Sequence, residues 1–283
     1  MAKQSRGAKI RRIQVALDSS VQDNTTIQVA VHLAAMLRAE LQGLFIQDFD
    51  LMRFADLPIA KEVISYSAIE RRVDRAQLEK DLESQAKRIS REFAQLAGQQ
   101  KVRWSFETVR GYIESEVLDA TERADLLIVH RKTGRTLVSH DQLGSTASMM
   151  ATRSKRTVLI LEGPVPLGQP LFVLVEESES GINALNVAVR LSKRNHRRLI
   201  VLIHTDSLNA FEGLRKEMQD GLLGRGREAE FSWLRKLEIP ILSHKLWQEG
   251  GGVLIVAADA PFLKQTPLAQ LIKQLKLPLV LVR

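Results

Sequence analysis

Three groupings in the first half of the chain have the residue types and spacing for chemistry. Asp18 and Ser19 follow directly on the apolar run 13–17, so a carboxylate and a hydroxyl stand at the end of a strand-like segment, able to bond the hydroxyls of a ribose or the edge of a base. Gly134 is separated by nine residues from Gly144, which is followed by Ser145 and Thr146 at the start of a helical pattern. A glycine-containing loop that opens a helix presents backbone N–H groups and the positive end of the helix dipole to an anion, which is phosphate-binding chemistry. Arg131, with Lys132 and Arg135 nearby, adds cations suited to a polyphosphate. Taken alone, Asp18 reads equally well as a cap or turn residue, and the basic trio as a solvated loop.

These groups meet only if strands and helices bring them to one edge. In an open parallel sheet the ligand crevice lies outside the carboxyl ends of the strands where the winding direction reverses, beside the first strand. The patterning predicts such a sheet. Runs 13–17, 41–47, 102–109, 125–130 and 157–161 read as strands. Between them lie helical patterns with apolar residues at i, i+3 and i+4, such as Ile27, Ala30, Val31 and Ala34. A long charged helix is expected from Ser67 to Gly98, with Ile69, Val73, Leu78 and Leu82 on one face. Five strands with intervening helices demand a parallel sheet covered on both faces.

The stretch EGPVPLGQP then holds three prolines and two glycines, which forbids helix or central strand and reads as a linker. The expected division is 1–162, a linker at 163–170, and 171–283. Beyond the linker the order restarts with strands at 171–175, 199–204, 241–245, 253–257 and 277–282, a weak internal repeat in element order. Only WQEGGG separates the third and fourth of these, so a helix is missing. Both terminal runs, TVLIL and LPLVLV, are apolar edge strands that would be liabilities if left bare. Their pairing within the chain would make an internal pseudo-dimer, with a homodimer of the whole chain as a further option.

Composition removes several classes of function. Cysteine is absent from the 283 residues, which excludes disulfides, thiolate metal sites and a cysteine nucleophile. The net charge is +8, but basic residues are interspersed with acids and aromatics are only 5%, which argues against a nucleic-acid surface. No segment approaches the roughly 18 apolar residues of a membrane span, and the basic start lacks the apolar core of a signal peptide, so a cytoplasmic location is expected. The six histidines form no HxxxH or HExxH spacing, and no metal site is expected. Neither a G-x-S-x-G elbow nor a GxxxxGK[ST] loop occurs, so neither a hydrolase triad nor a standard kinase-like site is expected.

The order IQVALDSS, AELQGLFIQD, GYIESEVLDATERADLLIVHRKTGR and LGSTASMMATRSKRTVLIL resembles the universal stress protein domain across residues 9–162. The resemblance implies an α/β fold: two flavodoxin-like, doubly wound, parallel five-stranded sandwiches in tandem, the second degenerate. Nucleotide-binding members of that family carry Gly, two residues, Gly, nine residues, then Gly and Ser or Thr after the fourth strand. Here Arg131 stands at the first of those positions, with Gly134, Gly144 and Ser145 in register. The resemblance implies a stress-response role and an adenine-nucleotide site in the first half only, for ATP with magnesium. In that site Asp18 and Ser19 face the ribose or adenine, Ile46 offers a backbone contact to adenine, and Gly134, Gly144, Ser145 and Thr146 cradle the phosphates. Arg131 either adds a cation to that cradle or fills the crevice, the latter leaving a scaffold or interaction protein that binds no nucleotide. Glycine at that position serves a positive φ or close ligand approach, neither of which Arg permits without strain. In the second half Glu177 stands roughly where Asp18 does, and ADAPFLKQTP lacks the glycines, so no nucleotide is expected there.

Overall fold

The computed structural model describes residues 10–19, 24–57, 61–64, 69–72, 74–133, 144–163, 169–192 and 197–283. Gly134, Arg135 and the linker residues 164–168 therefore lie outside the described residues. The first half comprises β1 (Arg12–Leu17), α1 (Thr25–Leu37), β2 (Glu40–Asp48), α2 (Phe49–Ala55), β3 (Lys61–Ile64), β4 (Ile69–Arg72), α3 (Arg75–Gln99), β5 (Trp104–Gly111), α4 (Ile113–Thr121), β6 (Leu126–His130), α5 (Ser145–Arg153) and β7 (Thr157–Leu161). The second comprises β8 (Leu171–Val175), α6 (Glu179–Ser192), β9 (Leu199–His204), α7 (Leu208–Leu223), β10 (Glu230–Leu234), α8 (Ile239–Gln248), β11 (Val253–Ala257), α9 (Pro261–Gln265), α10 (Leu268–Leu275) and β12 (Leu279–Val282).

Ten strands form one continuous sheet in the order β10-β9-β8-β11-β12-β7-β6-β1-β2-β5. Each half contributes five parallel strands with its first strand flanked by its second and fourth, so winding reverses between β1 and β6, and again between β8 and β11. The halves join through their last strands. β7 and β12 pair antiparallel, with Leu279 opposite Ile160, Val280 opposite Leu159 and Leu281 opposite Val158. The two apolar edges thus cover each other within one chain, as their exposure would otherwise invite association.

Right-handed crossovers put α1 and α3 on one face of the first half and α4 and α5 on the other, matching the packing of α1 on α3 and of α4 on α5. Across the seam α5 meets α10. Arg283, just past β12, ties the halves further: its guanidinium donates to the carbonyls of Ala151 (2.6 Å), near the end of α5, and Arg156 (3.2 Å), just before β7. A cation there also complements the negative end of that helix.

Two sequence expectations are corrected. The helix expected from Ser67 begins instead at Arg75, because Asp74 caps it, accepting from the Ala76 N–H at 2.9 Å. Residues 61–64 and 69–72 form an antiparallel hairpin. In the second half, 241–245 is not a strand but part of α8, whose buried residues Ile239, Leu242 and Leu246 recur at helical spacing. The third strand is β10, parallel to β9 from Glu230 opposite Ile200 to Leu234 opposite His204. Trp233 anchors it by donating Nε1–H to the Thr205 carbonyl at 3.0 Å. The second half therefore has its full complement of five strands, and WQEGGG is the end of α8 and its turn.

Candidate functional site

The carboxyl ends of β1, β2 and β6 converge at the first winding reversal. The β1–β2 ladder ends with Leu17 opposite Phe45, so Ile46 lies one residue beyond, level with Asp18. On the other side Val15 pairs with Ile128, and the same register carried on sets Asp18 level with Arg131. Neighbouring strands lie about 4.8 Å apart, so Asp18, Ile46 and Arg131 occupy adjacent strand ends. Asp18 and Ile46 are both buried, and Ser19 is a half-buried turn residue. The N-terminus of α5 joins this edge through Gly144, whose N–H donates to the Arg131 carbonyl at 2.8 Å.

Gly144 holds its position for a steric reason. A Cβ there would stand 2.1 Å from the Thr133 carbonyl oxygen, in the backbone itself. Because its own N–H is spent on Arg131, Gly144 closes the loop rather than donating to a ligand. Arg131 shows the opposite of what its place in the motif suggests. It does not have a positive φ, so the expected strain does not arise, and its N–H continues the ladder to the Leu161 carbonyl at 2.7 Å. Its buried guanidinium bonds the Glu162 carboxylate at the end of β7. Burial pushes the Glu162 carboxyl above its usual range, although Arg131, Lys276 and Lys132 all pull it down.

Near this pair are two hydroxyls with no partner among the described residues. Thr146, second residue of α5, and Thr133, just after β6, are both fully buried, and neither Oγ1 makes a hydrogen bond to a described residue. A third, Thr26 in the first turn of α1, is in the same state. Buried hydroxyls left unmatched cost free energy unless something fills their hydrogen-bonding capacity. The N-cap of α5 makes no side-chain bond and its first turn holds no acid. The first intrahelical bond runs from the Ser148 N–H to the Gly144 carbonyl at 3.0 Å, leaving the N–H groups of the turn before it for an outside acceptor. The cap of α1, Asn24, likewise makes no side-chain bond. The edge thus combines donor hydroxyls, helix N-termini and the buried carboxylates of Asp18 and Asp48, a set suited to an anion attached to a hydroxyl-bearing group. Gly134 lies outside the described residues and is not placed. Sequence reasoning passed over Thr133, though it adjoins Gly134 inside the motif, and Thr26, which has no distinguishing pattern.

The equivalent edge of the second half is built differently. The residue after β8 that is buried is Glu176, not the exposed Glu177, which corrects the expected counterpart of Asp18. Glu176 accepts from the Phe262 N–H at 3.1 Å, at the start of α9, and stands 3.4 Å from Nδ1 of His204. Pro261 opens α9 and supplies no donor. A carboxylate of the protein itself therefore occupies the helix N-terminus. Among the described residues no group of three His, Asp or Glu is gathered as a metal site requires, and no helix is long and apolar enough to cross a membrane.

A model of the universal stress protein family matches residues 9–162. Among solved structures, a universal stress protein from Archaeoglobus fulgidus DSM 4304 is similar, with a TM-score of 0.69 and 14% identity over 95% of this chain and 98% of that one. A putative universal stress protein from Pseudomonas aeruginosa UCBPP-PA14 gives 0.62 and 12%, over 96% and 93%. The cytoplasmic domain of a prokaryotic cation chloride cotransporter gives 0.53 and 12%, over 96% and 95%. At these identities the likeness is one of fold, which hosts more than one role. No curated protein matches the sequence.

Proposed function

Because the chain belongs to the universal stress protein family, we propose that its first half binds an adenine nucleotide, ATP carried with magnesium, at the carboxyl ends of β1, β2 and β6, in a sensing role during stress. The observation that carries this reading is the pair of buried hydroxyls of Thr133 and Thr146, unpartnered among the described residues, beside the N-terminus of α5, whose N-cap is Gly144 and whose first turn holds no acid. Phosphate oxygens would accept from both hydroxyls and from the first N–H groups of α5, where the helix dipole favours negative charge. Asp18 and Ser19 would bond the ribose, the backbone at Ile46 the adenine, and Gly134 would let the loop approach the phosphates. Magnesium sits on the phosphate oxygens in this reading. In the second half Glu176 already holds the N–H of Phe262, which supports a nucleotide site in the first half only.

One observation favours a different reading. Arg131 is engaged by Glu162, so phosphates would have to compete for its guanidinium, and a chain in which that pair seals the crevice would serve as a scaffold. Calorimetric titration of the full chain with Mg-ATP separates the two. The nucleotide reading expects one saturable site per chain, weakened tenfold or more by Asp18→Ala. No heat and no thermal shift at millimolar ATP would leave the scaffold.

A further inference from the structure

On the face away from α5 and α10, α1 and α6 flank the seam without covering it and leave a cavity of about 320 Å³. Leu159 of β7 and Val280 of β12 line it together with Val29 and Met36 of α1 and Val187 and Leu191 of α6. Its shape follows from the topology. Because the halves run antiparallel, the first residues of β6 and β7 and the first residues of β8 and β11 lie at opposite edges of the sheet, yet Leu126, Thr157, Leu171 and Val253 all line the same cavity. From Thr157 through the Leu159–Val280 pair, then the Val280–Ile255 pair, to Val253 is four strand steps, or about 13 Å at 3.3 Å per residue. The cavity is an apolar trough along the seam.

One end is cationic. Its ionisable lining groups are His32, from α1, and Arg197, just before β9; no Asp or Glu lines it. Burial holds the His32 imidazole below its usual value, and the charge of Arg197, which lines the same trough, lowers it further. Arg197 is half-buried and makes no hydrogen bond or ion pair among the described residues, and its Nε is wholly buried without a partner. Burial alone pulls its guanidinium below the usual value. A guanidinium held partly out of water beside apolar surface, with no carboxylate near it, is incomplete without an anion.

We infer that this trough binds a fatty-acid carboxylate, its acyl chain lying along the β7–β12 seam and its head group paired with Arg197. The lining suits that division: mostly aliphatic, with the neutral side chains of Thr25, Gln28, Gln99, Gln100 and Thr157 and the two cations as its polar groups, and of a volume within the range of about 300–1,000 Å³ usual for small-molecule sites. Binding there does not depend on the nucleotide crevice.

The test is calorimetric titration of the full chain with dodecanoate, decanoate and 1-dodecanol below their aggregation limits. The wild type is expected to bind one dodecanoate per chain, at least tenfold more tightly than the alcohol. Decanoate should bind about fifteenfold more weakly, from about fourfold per buried CH₂. Arg197→Gln should erase the preference for carboxylate over alcohol, and Val187→Trp, which fills the trough, should abolish both. If Val187→Trp does not fold, the carboxylate–alcohol comparison in the wild type and Arg197→Gln decides the matter. Absence of saturable dodecanoate binding by the wild type, equal affinity for dodecanoate and 1-dodecanol, or a preference that survives Arg197→Gln overturns the inference. So would a chain dimer, seen by sedimentation, that Val187→Trp dissociates, because a second copy would then occupy the trough.

Discussion

The carboxylate of Glu176 accepts a hydrogen bond from the backbone N–H of Phe262 at 3.1 Å, linking residues 86 positions apart. This bond places a charge of the protein's own at a helix N-terminus, whereas the first turn of α5 in the first half holds no acid. Removing it should be costly, because the N–H of Phe262 would stay buried without an acceptor. Glu176→Ala is expected to lower stability by about 1–3 kcal/mol, and Glu176→Gln, which keeps an acceptor oxygen, by less. Urea unfolding of the two variants checks the order; equal losses would show that the carboxylate is not capping α9.

Thr146→Val and Thr133→Val remove hydroxyls that have no partner while keeping the branched shape. Each should leave stability unchanged or raise it by about 0.5–1 kcal/mol, since an unsatisfied buried group is lost. Each should also weaken Mg-ATP binding about tenfold. A gain in thermal stability coupled to a loss in affinity is the mark of residues kept for a ligand, and a loss of both would point to a purely structural role.

Val158 and Val280 both sit in the seam, but they face different ways. Leu159 and Val280 line the trough, so the alternation of a strand turns Val158 to the opposite face, where α5 packs on β7. A lysine at 158 would bury an unpaired charge and should cost about 4 kcal/mol. At 280 its ammonium can extend through the cavity toward water, and about 2 kcal/mol is expected. The double variant should separate the halves or become insoluble. Denaturation midpoints and size-exclusion profiles test the ranking, and a double variant that unfolds like the wild type would refute the pairing.

Burial raises the Glu162 carboxyl above its reference value of 4.5 despite Arg131. The folded state then holds this proton more tightly than the unfolded chain. The resulting stabilisation is complete below pH 4.5 and is lost as pH climbs through the raised folded value. Wild-type stability should therefore fall relative to Glu162→Gln as pH rises from 4.5 into the raised range. Parallel pH profiles of the urea midpoint would show that Glu162 is not the titrating group.

Much of this molecule was legible from local pattern. The runs ending in Asp18, at TVLIL and at LPLVLV are short, apolar and β-branched, and each became a buried strand; the apolar stripe of Ile27, Ala30, Val31 and Ala34 became the inner face of α1. ILSHK misled because five residues are too few to show a period and fit a strand as well as a helix, and only Ile239 and Leu246 on either side disclose the helical period. EFSWL was missed because its side chains are only partly buried at the sheet edge, where the apolar signal is weakest.

By itself, then, the sequence determined the alternation of strands and helices and the two self-complementary edges, all set by interactions between residues a few positions apart. The tertiary structure alone decided that Arg131 is claimed by Glu162, that Glu176 rather than Glu177 fills the second crevice, that Gly144 is there to clear the Thr133 carbonyl, and that Arg197 closes an apolar trough. Each of these depends on which distant side chain arrives beside a group once the sheet has formed. The free energy of a buried polar atom is set by that neighbour rather than by its neighbours in the chain.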